Sequence, residues 1–338
     1  MYRDLRDRDP VHHVTDGDFW FLARFADVFA AARDPATFSS ASGLTVDPDG
    51  PAADLGDVTP IVFLDPPDHT AFRRLVGRGF TPRQVADLEH EVRVFVTSAL
   101  DRVVEAGGGD IIADLFKPLP SFVVAHYLGV PATDRVRFDG WTERIVAGAA
   151  QGGTSDGLDA IADLASYFSH LIDRRRTDPG DDMVSQLVGL GEEQASVMWI
   201  LGFAFTMVAG GNDTTTGMLG GSAVLLTEHR GERRRLLDDP GLIPNAVEEL
   251  LRLTSPVQNL ARTTTRDVDV GGTTIPAGAR VLLGYGSANR DEREYGANSE
   301  CLDVGRPVER MLTFGSGSHF CLGAAAARLQ ARVALEEL

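Results

Sequence analysis

Apolar residues recur at helical spacing over most of this chain, and the alternation expected of strands is confined to short runs. Helical periodicity is clearest over residues 25–32, 83–105, 164–176, 192–227 and 244–253. A further run, 324–338, has no Gly or Pro and is rich in Ala, Leu, Arg and Glu. Strand signals are few: residues 19–22 form one, and residues 268–283 read as short strands joined by glycine and proline turns. The pattern predicts a mainly α fold with small peripheral β-sheets. No self-similar period, low-complexity block or linker is visible, so residues 1–338 are expected to form a single domain.

The longest apolar stretch, 197–209, is shorter than the roughly 20 residues a membrane helix needs, and it reads as a core helix. It runs into Gly210-Gly211-Asn212-Asp213-Thr214-Thr215, where the two glycines are expected to interrupt the helix. Each glycine costs a helix interior roughly 1 kcal/mol relative to Ala, and something should offset that cost. One candidate is close packing of another helix, with Thr hydroxyls bonded back to the previous turn. The other is a groove in which a small ligand meets the helix while Asp213 and Thr214 deliver protons. Thr206, Ala209 and Gly210 lie on roughly the same face as Thr214 and are expected to border that ligand.

Composition narrows the class. At 338 residues with 43% hydrophobic content, the chain can bury a large core. Two cysteines argue for a reducing compartment rather than a disulfide scaffold, and the charged N-terminus carries no apolar signal segment, so a cytoplasmic protein with no membrane association is expected. A net charge of -17 argues against a nucleic-acid partner. Against that background Arg73, Arg74 and Arg78 share one helical segment and Arg328 and Arg332 another, a basic patch suited to an acidic protein partner.

The chemistry concentrates near the C-terminus, in Phe314-Gly315-Ser316-Gly317-Ser318-His319-Phe320-Cys321-Leu322-Gly323. Cys321 precedes the predicted helix 324–338, where the dipole and unpaired N–H groups favour a thiolate. The other cysteine, Cys301, stands twenty residues upstream without the paired spacing of a zinc site, so the loop offers one thiolate to one metal. Elsewhere, His69 and Arg73 at i and i+4 put two donors on one helix face, suited to a carboxylate. Glu249 and Arg252 also share a face, a pairing that alone contributes only about 0.2–0.5 kcal/mol.

The pattern Phe-Gly-x-Gly-x-His-x-Cys-x-Gly closely resembles the cysteine loop of the cytochrome P450 family of heme-thiolate monooxygenases. Gly210 to Thr215 resembles that family's oxygen-activation helix, Ala/Gly-Gly-x-Asp/Glu-Thr-Thr/Ser. The resemblance implies a cytochrome P450 fold with heme b (iron protoporphyrin IX) between the long central helix and the helix after the cysteine loop. It implies Cys321 as the axial iron ligand, with Phe314, Gly315 and Gly323 completing the loop. His319, His69, Arg73 and Arg262 match positions that bind heme propionates. Glu249, Arg252 and Arg306 match a buried charge triad bracing the cysteine loop. Thr214 and Asp213 match a proton-delivery pair for the co-substrate O2, and Thr206, Ala209 and Gly210 match substrate-lining positions.

The implied activity is insertion of one atom of O2 into a hydrophobic small molecule, with electrons relayed from NAD(P)H by a ferredoxin or similar small acidic donor. Pocket positions around 43–61, 145–158, 203–210 and 257–260 mix apolar residues with Gly, Gln258 and Asn259, which suits an apolar substrate with a polar anchor. A peroxide-driven peroxygenase and a noncatalytic heme-thiolate sensor are alternatives, and Asp213-Thr214 count against the second. A truncated, inactive heme-binding protein is a third, because the family continues past the point where this sequence stops. The chain is therefore expected to be truncated at the C-terminus.

Overall fold

The computed structural model describes residues 1–46, 60–150 and 155–338. In chain order the first elements are α1 (Tyr2–Arg8), β1 (Val11–Val14), β2 (Phe19–Leu22), α2 (Phe25–Ala32) and β3 (Phe38–Ser39). A helical stretch follows: α3 (Asp68–Val76), α4 (Pro82–Asp87), α5 (Glu89–Glu105), α6 (Pro118–Tyr127), α7 (Val136–Ala150), α8 (Ser155–Thr177), α9 (Met183–Gly189), α10 (Val197–Glu228), α11 (Arg230–Asp238) and α12 (Ile243–Thr254). Then come β4 (Leu260–Thr264), β5 (Val268–Val270), β6 (Thr273–Ile275), β7 (Arg280–Leu283), α13 (Tyr285–Ala288), α14 (Glu292–Tyr295) and α15 (Ala324–Glu337). The described residues are mainly helical, with one five-stranded and one two-stranded sheet.

Contacts divide it into two compact units, one of Met1–Ala52, Asp65–Asp68 and Gly217–Ala324, the other of Ala53–Leu64, His69–Thr216 and Ala325–Leu338. The first unit is built on the sheet β1-β2-β7-β4-β3, in which β2 and β7 run parallel and the other pairs antiparallel. Leu22, Val281 and Leu283 of this sheet pack with Phe25, Val28 and Ala31 of α2 in one apolar core. The N-terminus of α2 is satisfied from afar, since Phe25 N–H donates to Asp291 Oδ2 at 3.0 Å. Arg6 of α1 is buried and donates from Nη1 to the Ser287 carbonyl at 3.0 Å, fixing the N-terminal segment on α13.

The second unit is helical. Phe138 and Trp141 of α7 meet Tyr167 and Phe168 of α8 in a cluster of tilted and edge-on rings. Phe72 packs on Trp199 and Phe203 of α10, while Phe80 stacks on Tyr127 at 4.7 Å. Helix α5 is tied to the last turns of α15: Glu89 and Arg93 bond Arg332, Glu336 and Glu337.

The elements depart from sequence expectation in instructive places. Residues 83–105 form two helices, because Thr81 caps α4 through Gln84 N–H, Pro82 occupies its first turn, and Leu88 interrupts the run. Helix α10 begins at Val197 rather than at 192, after Gly191 turns the chain at φ +82° and Ser196 Oγ accepts from Trp199 N–H at 3.2 Å. Most notably, Gly210 and Gly211 do not break α10, which is continuous from Val197 to Glu228. Among the described residues no helix is long and apolar enough to cross a membrane.

Candidate functional site

The cysteine loop hangs from a hydrogen-bonded frame inside the first unit. Helix α12 supplies Glu249 and Arg252, both fully buried, which meet side-on: Nε to Oε2 at 2.7 Å and Nη2 to Oε1 at 2.8 Å. Arg306 adds its Nε to Glu249 Oε1 at 3.1 Å, so the expected triad assembles around one carboxylate. The guanidiniums then clamp the intervening chain. Arg252 Nη1 donates to the carbonyls of Asn289 and Ser299, and Arg306 donates to those of Tyr295, Asn298 and Cys301.

Asn289 carries the frame on to the loop. Its Oδ1 accepts from Leu312 N–H at 2.7 Å and its Nδ2 donates to Thr313 Oγ1 at 2.9 Å, while Thr313 donates to the Leu251 carbonyl of α12 at 2.8 Å. From there Gly315 and Gly317 turn the chain with φ +67° and +70°, angles at which a Cβ is strained. A Cβ on Gly317 would also stand 2.8 Å from the Ala32 carbonyl, so the loop presses against the end of α2. Cys321 N–H closes the loop onto the Phe314 carbonyl at 2.8 Å. Cys321 is exposed, is not in a disulfide, and stands just before α15, whose N-terminal N–H groups favour its thiolate. Phe314 and Phe320 meet edge-on within the loop, with ring centroids 6.3 Å apart. Gly323 follows close behind, and a Cβ there would lie 4.0 Å from Cys321 Sγ.

His319 Nε2 lies 3.2 Å from Ser40 Oγ, and Asp65 holds that segment by accepting from Ser40 N–H at 3.0 Å and from Ser39 Oγ at 2.5 Å. Ser40, Asp65, Asn289 and Thr313 carry no motif that would have marked them. Arg262 on β4 is buried, and its hydrogen bond goes to the carbonyl of its neighbour Ala261 at 2.7 Å. No carboxylate pairs with it among the described residues.

The remaining candidates belong to the second unit. Helix α3 carries His69, buried, and Arg73, half-buried, one turn apart. On α10 the Thr214 hydroxyl donates to the Gly210 carbonyl at 2.8 Å, and Thr206 donates likewise to Gly202. Back-bonding of this kind was one of the two expected offsets for the glycines, and packing also contributes: a Cβ on Gly211 would lie 2.8 Å from Val124 of α6. Gly210 differs, since a Cβ there would meet nothing within 4 Å. Ala209 and Asp213 are both half-buried. Of the basic patch, Arg332 is neutralised by Glu89 at 2.6 Å and Glu336 at 3.0 Å, which corrects its reading as an available docking charge. The Arg78 side chain and positions 47–59 and 151–154 lie outside the described residues.

The donor set fits a heme. One exposed thiol sits in a loop free of side chains at its turns, and a buried guanidinium that no carboxylate among the described residues neutralises suits a propionate. Burial also raises the Tyr285 and Tyr295 hydroxyls above the ordinary tyrosine range, leaving both neutral donors at physiological pH.

Comparison with known proteins agrees. Residues 225–338 match the family model described as Cytochrome P450. The chain is 60% identical over 349 residues to Cytochrome P450 130 of Mycobacterium tuberculosis, covering 100% of this chain and 86% of that protein. It is 37% identical to the Vitamin D(3) 25-hydroxylase of Pseudonocardia autotrophica, covering 100% of this chain and 84% of that one. Among solved structures, the cytochrome P450 CYP109Q5 of Chondromyces apiculatus superposes with a TM-score of 0.90 at 33% identity, covering 100% of this chain and 86% of that one. CYP109E1 of Bacillus megaterium in complex with testosterone also gives 0.90, at 31% identity, covering 99% and 88%. The chain belongs to the cytochrome P450 family. It has that family's fold, and it is a heme-thiolate monooxygenase by class.

Proposed function

We propose that this chain, acting as a single domain, hydroxylates a hydrophobic small molecule: R–H, O2, two electrons and two protons give R–OH and water. The observation that carries the reading is the Cys321 loop, a single exposed thiol before a helix N-terminus in a turn that two positive-φ glycines keep open. When bound, heme b supplies an iron centre able to activate O2. Cys321 acts as the thiolate donor to that iron, and Phe314, Gly315 and Gly323 keep the loop in shape around it. Arg262, His319, His69 and Arg73 hold carboxylates by charge-assisted hydrogen bonds. Glu249, Arg252 and Arg306 keep the loop's frame rigid.

Thr214 is the proton carrier at the reacting centre. Its hydroxyl donates to the Gly210 carbonyl; turned to the reacting centre it gives up that proton and takes one back on an oxygen lone pair from Asp213. Thr206, Ala209 and Gly210 border the substrate, with Gly210 leaving space that a side chain would fill. The electrons come from NAD(P)H through a ferredoxin-type acidic donor. A reducing, cytoplasmic setting suits two cysteines outside any disulfide. The names of the relatives above, a vitamin D(3) hydroxylase and a testosterone complex, support an apolar substrate with a polar anchor.

The test is the reduced carbon-monoxide difference spectrum of the wild type and of Cys321→Ser. A red-shifted thiolate Soret band in the first, lost in the second, is expected. A heme-loaded wild type without that band overturns the assignment.

A further inference from the structure

One deeply buried cation has no part in the site described above. Arg6 is 1% exposed, although the helix that carries it, α1, is otherwise half-buried or exposed. Its Nη1 donates to the Ser287 carbonyl at 3.0 Å and to the Ser287 hydroxyl at 3.2 Å, and its Nη2 donates to Glu300 Oε1 at 3.2 Å. The neighbouring groups are held in turn. The Ser287 hydroxyl donates to the Ala23 carbonyl at 2.9 Å, and Arg24 Nε donates to the Arg6 carbonyl at 2.7 Å. A buried guanidinium whose donors meet fixed acceptors orders the chain on both sides of it. Two other ion pairs of α1, Arg3 with Glu292 and Asp7 with Arg293, are solvent-exposed and contribute little.

Both residues that Arg6 bonds lie on the chain that carries the cysteine loop, and all of these groups belong to the first unit. Glu300 stands between Ser299, whose carbonyl accepts from Arg252 Nη1 at 2.7 Å, and Cys301, whose carbonyl accepts from Arg306 Nη2 at 3.4 Å. Ser287 lies in α13, two residues before Asn289. The Asn289 carbonyl accepts from Arg252 Nη1 at 2.6 Å, and its side chain holds Leu312 N–H and Thr313 Oγ1. The triad and Arg6 therefore grip the same segment, 287–301, through different acceptors. From Arg6 the connection runs through Ser287 and one turn of α13 to Asn289, and from Asn289 to the start of the turn that presents Cys321.

We propose that Arg6 is a positioning residue for the heme-thiolate centre: through Ser287, Glu300 and Asn289 it holds the segment from which the cysteine loop hangs, so that helix α1 latches the loop in the shape that presents Cys321. This role rests on the heme-thiolate reading above, and Arg6 acts through the frame rather than on the loop itself. Three variants of the holoenzyme test it. Arg6→Met removes the charge and the donors at similar length, Arg6→Lys keeps the charge and can bond Ser287 or Glu300, and Asp7→Asn weakens an exposed ion pair of the same helix. The readouts are amide hydrogen exchange at Leu312 and Cys321, compared with the amides of α8, and the lifetime of the reduced carbon-monoxide thiolate Soret band on warming.

Arg6→Met is expected to speed exchange at both amides and decay of the band about tenfold, the effect of losing a charged hydrogen bond, while α8 exchanges as in wild type. Arg6→Lys should recover most of the change, and Asp7→Asn should stay within about twofold of wild type. Should Arg6→Met not fold, Glu300→Gln removes the counter-charge of Arg6 at an exposed position and should give the same local pattern at about threefold. Unchanged exchange at Leu312 and Cys321, an equal rise in α8, an Arg6→Lys that matches Arg6→Met, or an Asp7→Asn effect as large as that of Arg6→Met overturns the latch. Faster exchange in the loop with an unchanged band lifetime overturns its link to Cys321. A heme-loaded wild type lacking the thiolate Soret band fails the Cys321 assignment, and the exchange comparison still decides whether Arg6 holds the loop.

Discussion

Glu249→Gln is the substitution with the largest expected effect on the frame of the cysteine loop. Glu249 is fully buried and is the carboxylate shared by Arg252 and Arg306, with a further hydrogen bond from Asp303 N–H at 3.2 Å. Glutamine has nearly the same shape, but it removes the negative charge and turns an amide NH2 toward groups that are already donors. Two guanidiniums would then be buried without a counter-charge. Breaking a buried ion pair from one side typically costs about 3–5 kcal/mol. For a chain of 338 residues, unfolding entropies near 2 cal/mol/K per residue convert this to a melting temperature about 4–7 °C lower.

Far-ultraviolet circular dichroism during heating, with heme content measured before and after, supplies the assay. Arg235→Ala is the control. It removes a cation that pairs with Glu232 and Asp303 at similar distances, 2.7 and 3.0 Å, but with its side chain 45% exposed, so the melting temperature should barely move. If Glu249→Gln melts within a degree or so of wild type, the triad does not hold the frame and the burial argument is wrong.

Two further outcomes follow from the second unit. Thr214→Ala should keep the carbon-monoxide band yet divert electrons from product to peroxide, with product per NAD(P)H falling about tenfold or more; equal coupling in both proteins counts against proton delivery by Thr214. Hydrogen bonds from Arg332, then Arg93, hold the Glu89 carboxyl below its usual value of 4.5, so its stabilising effect is present above that pH and disappears as pH falls through the lowered pKa. Glu89→Gln should therefore flatten the acid limb of stability below about pH 4.5, by less than about 1 kcal/mol at these half-buried, solvent-screened positions, and urea midpoints whose pH curves run parallel would refute this.

What the chain discloses before folding depends on how local each relation is. The cysteine loop is legible because its residues are consecutive and its glycines stand where positive φ is needed, at Gly315 and Gly317. Glu249 and Arg252 are legible as a pair one turn apart, but the third member, Arg306, is identified only by resemblance until the fold brings it to Glu249. Ser40 beside His319 and Asn289 beside Leu312 were invisible, because a pairing across hundreds of residues, or across an irregular segment, leaves no period in the sequence. The expected break at Gly210-Gly211 failed for a different reason. The propensity cost was real, but Val124 packs where a Gly211 side chain would stand, so tertiary contact overrode local preference.

Arginine shows most plainly how one residue type is sorted into structural and binding roles. Arg252 and Arg306 each meet a glutamate, and several backbone carbonyls take their remaining donors, so nothing is left over to attract a ligand. Such a group is rigid and costly to disturb, which suits a frame. Arg262 is buried as deeply, and among the described residues it is answered by the adjacent carbonyl alone. A neutral acceptor orients a guanidinium without cancelling its charge, so Arg262 is held in place while its field persists. On the proposed heme-binding reading, a carboxylate meeting Arg262 displaces no ion pair among the described residues, so little of the attraction is spent on exchange. An Arg262 paired with an internal acid would leave the sheet as well ordered and would attract an anion more weakly.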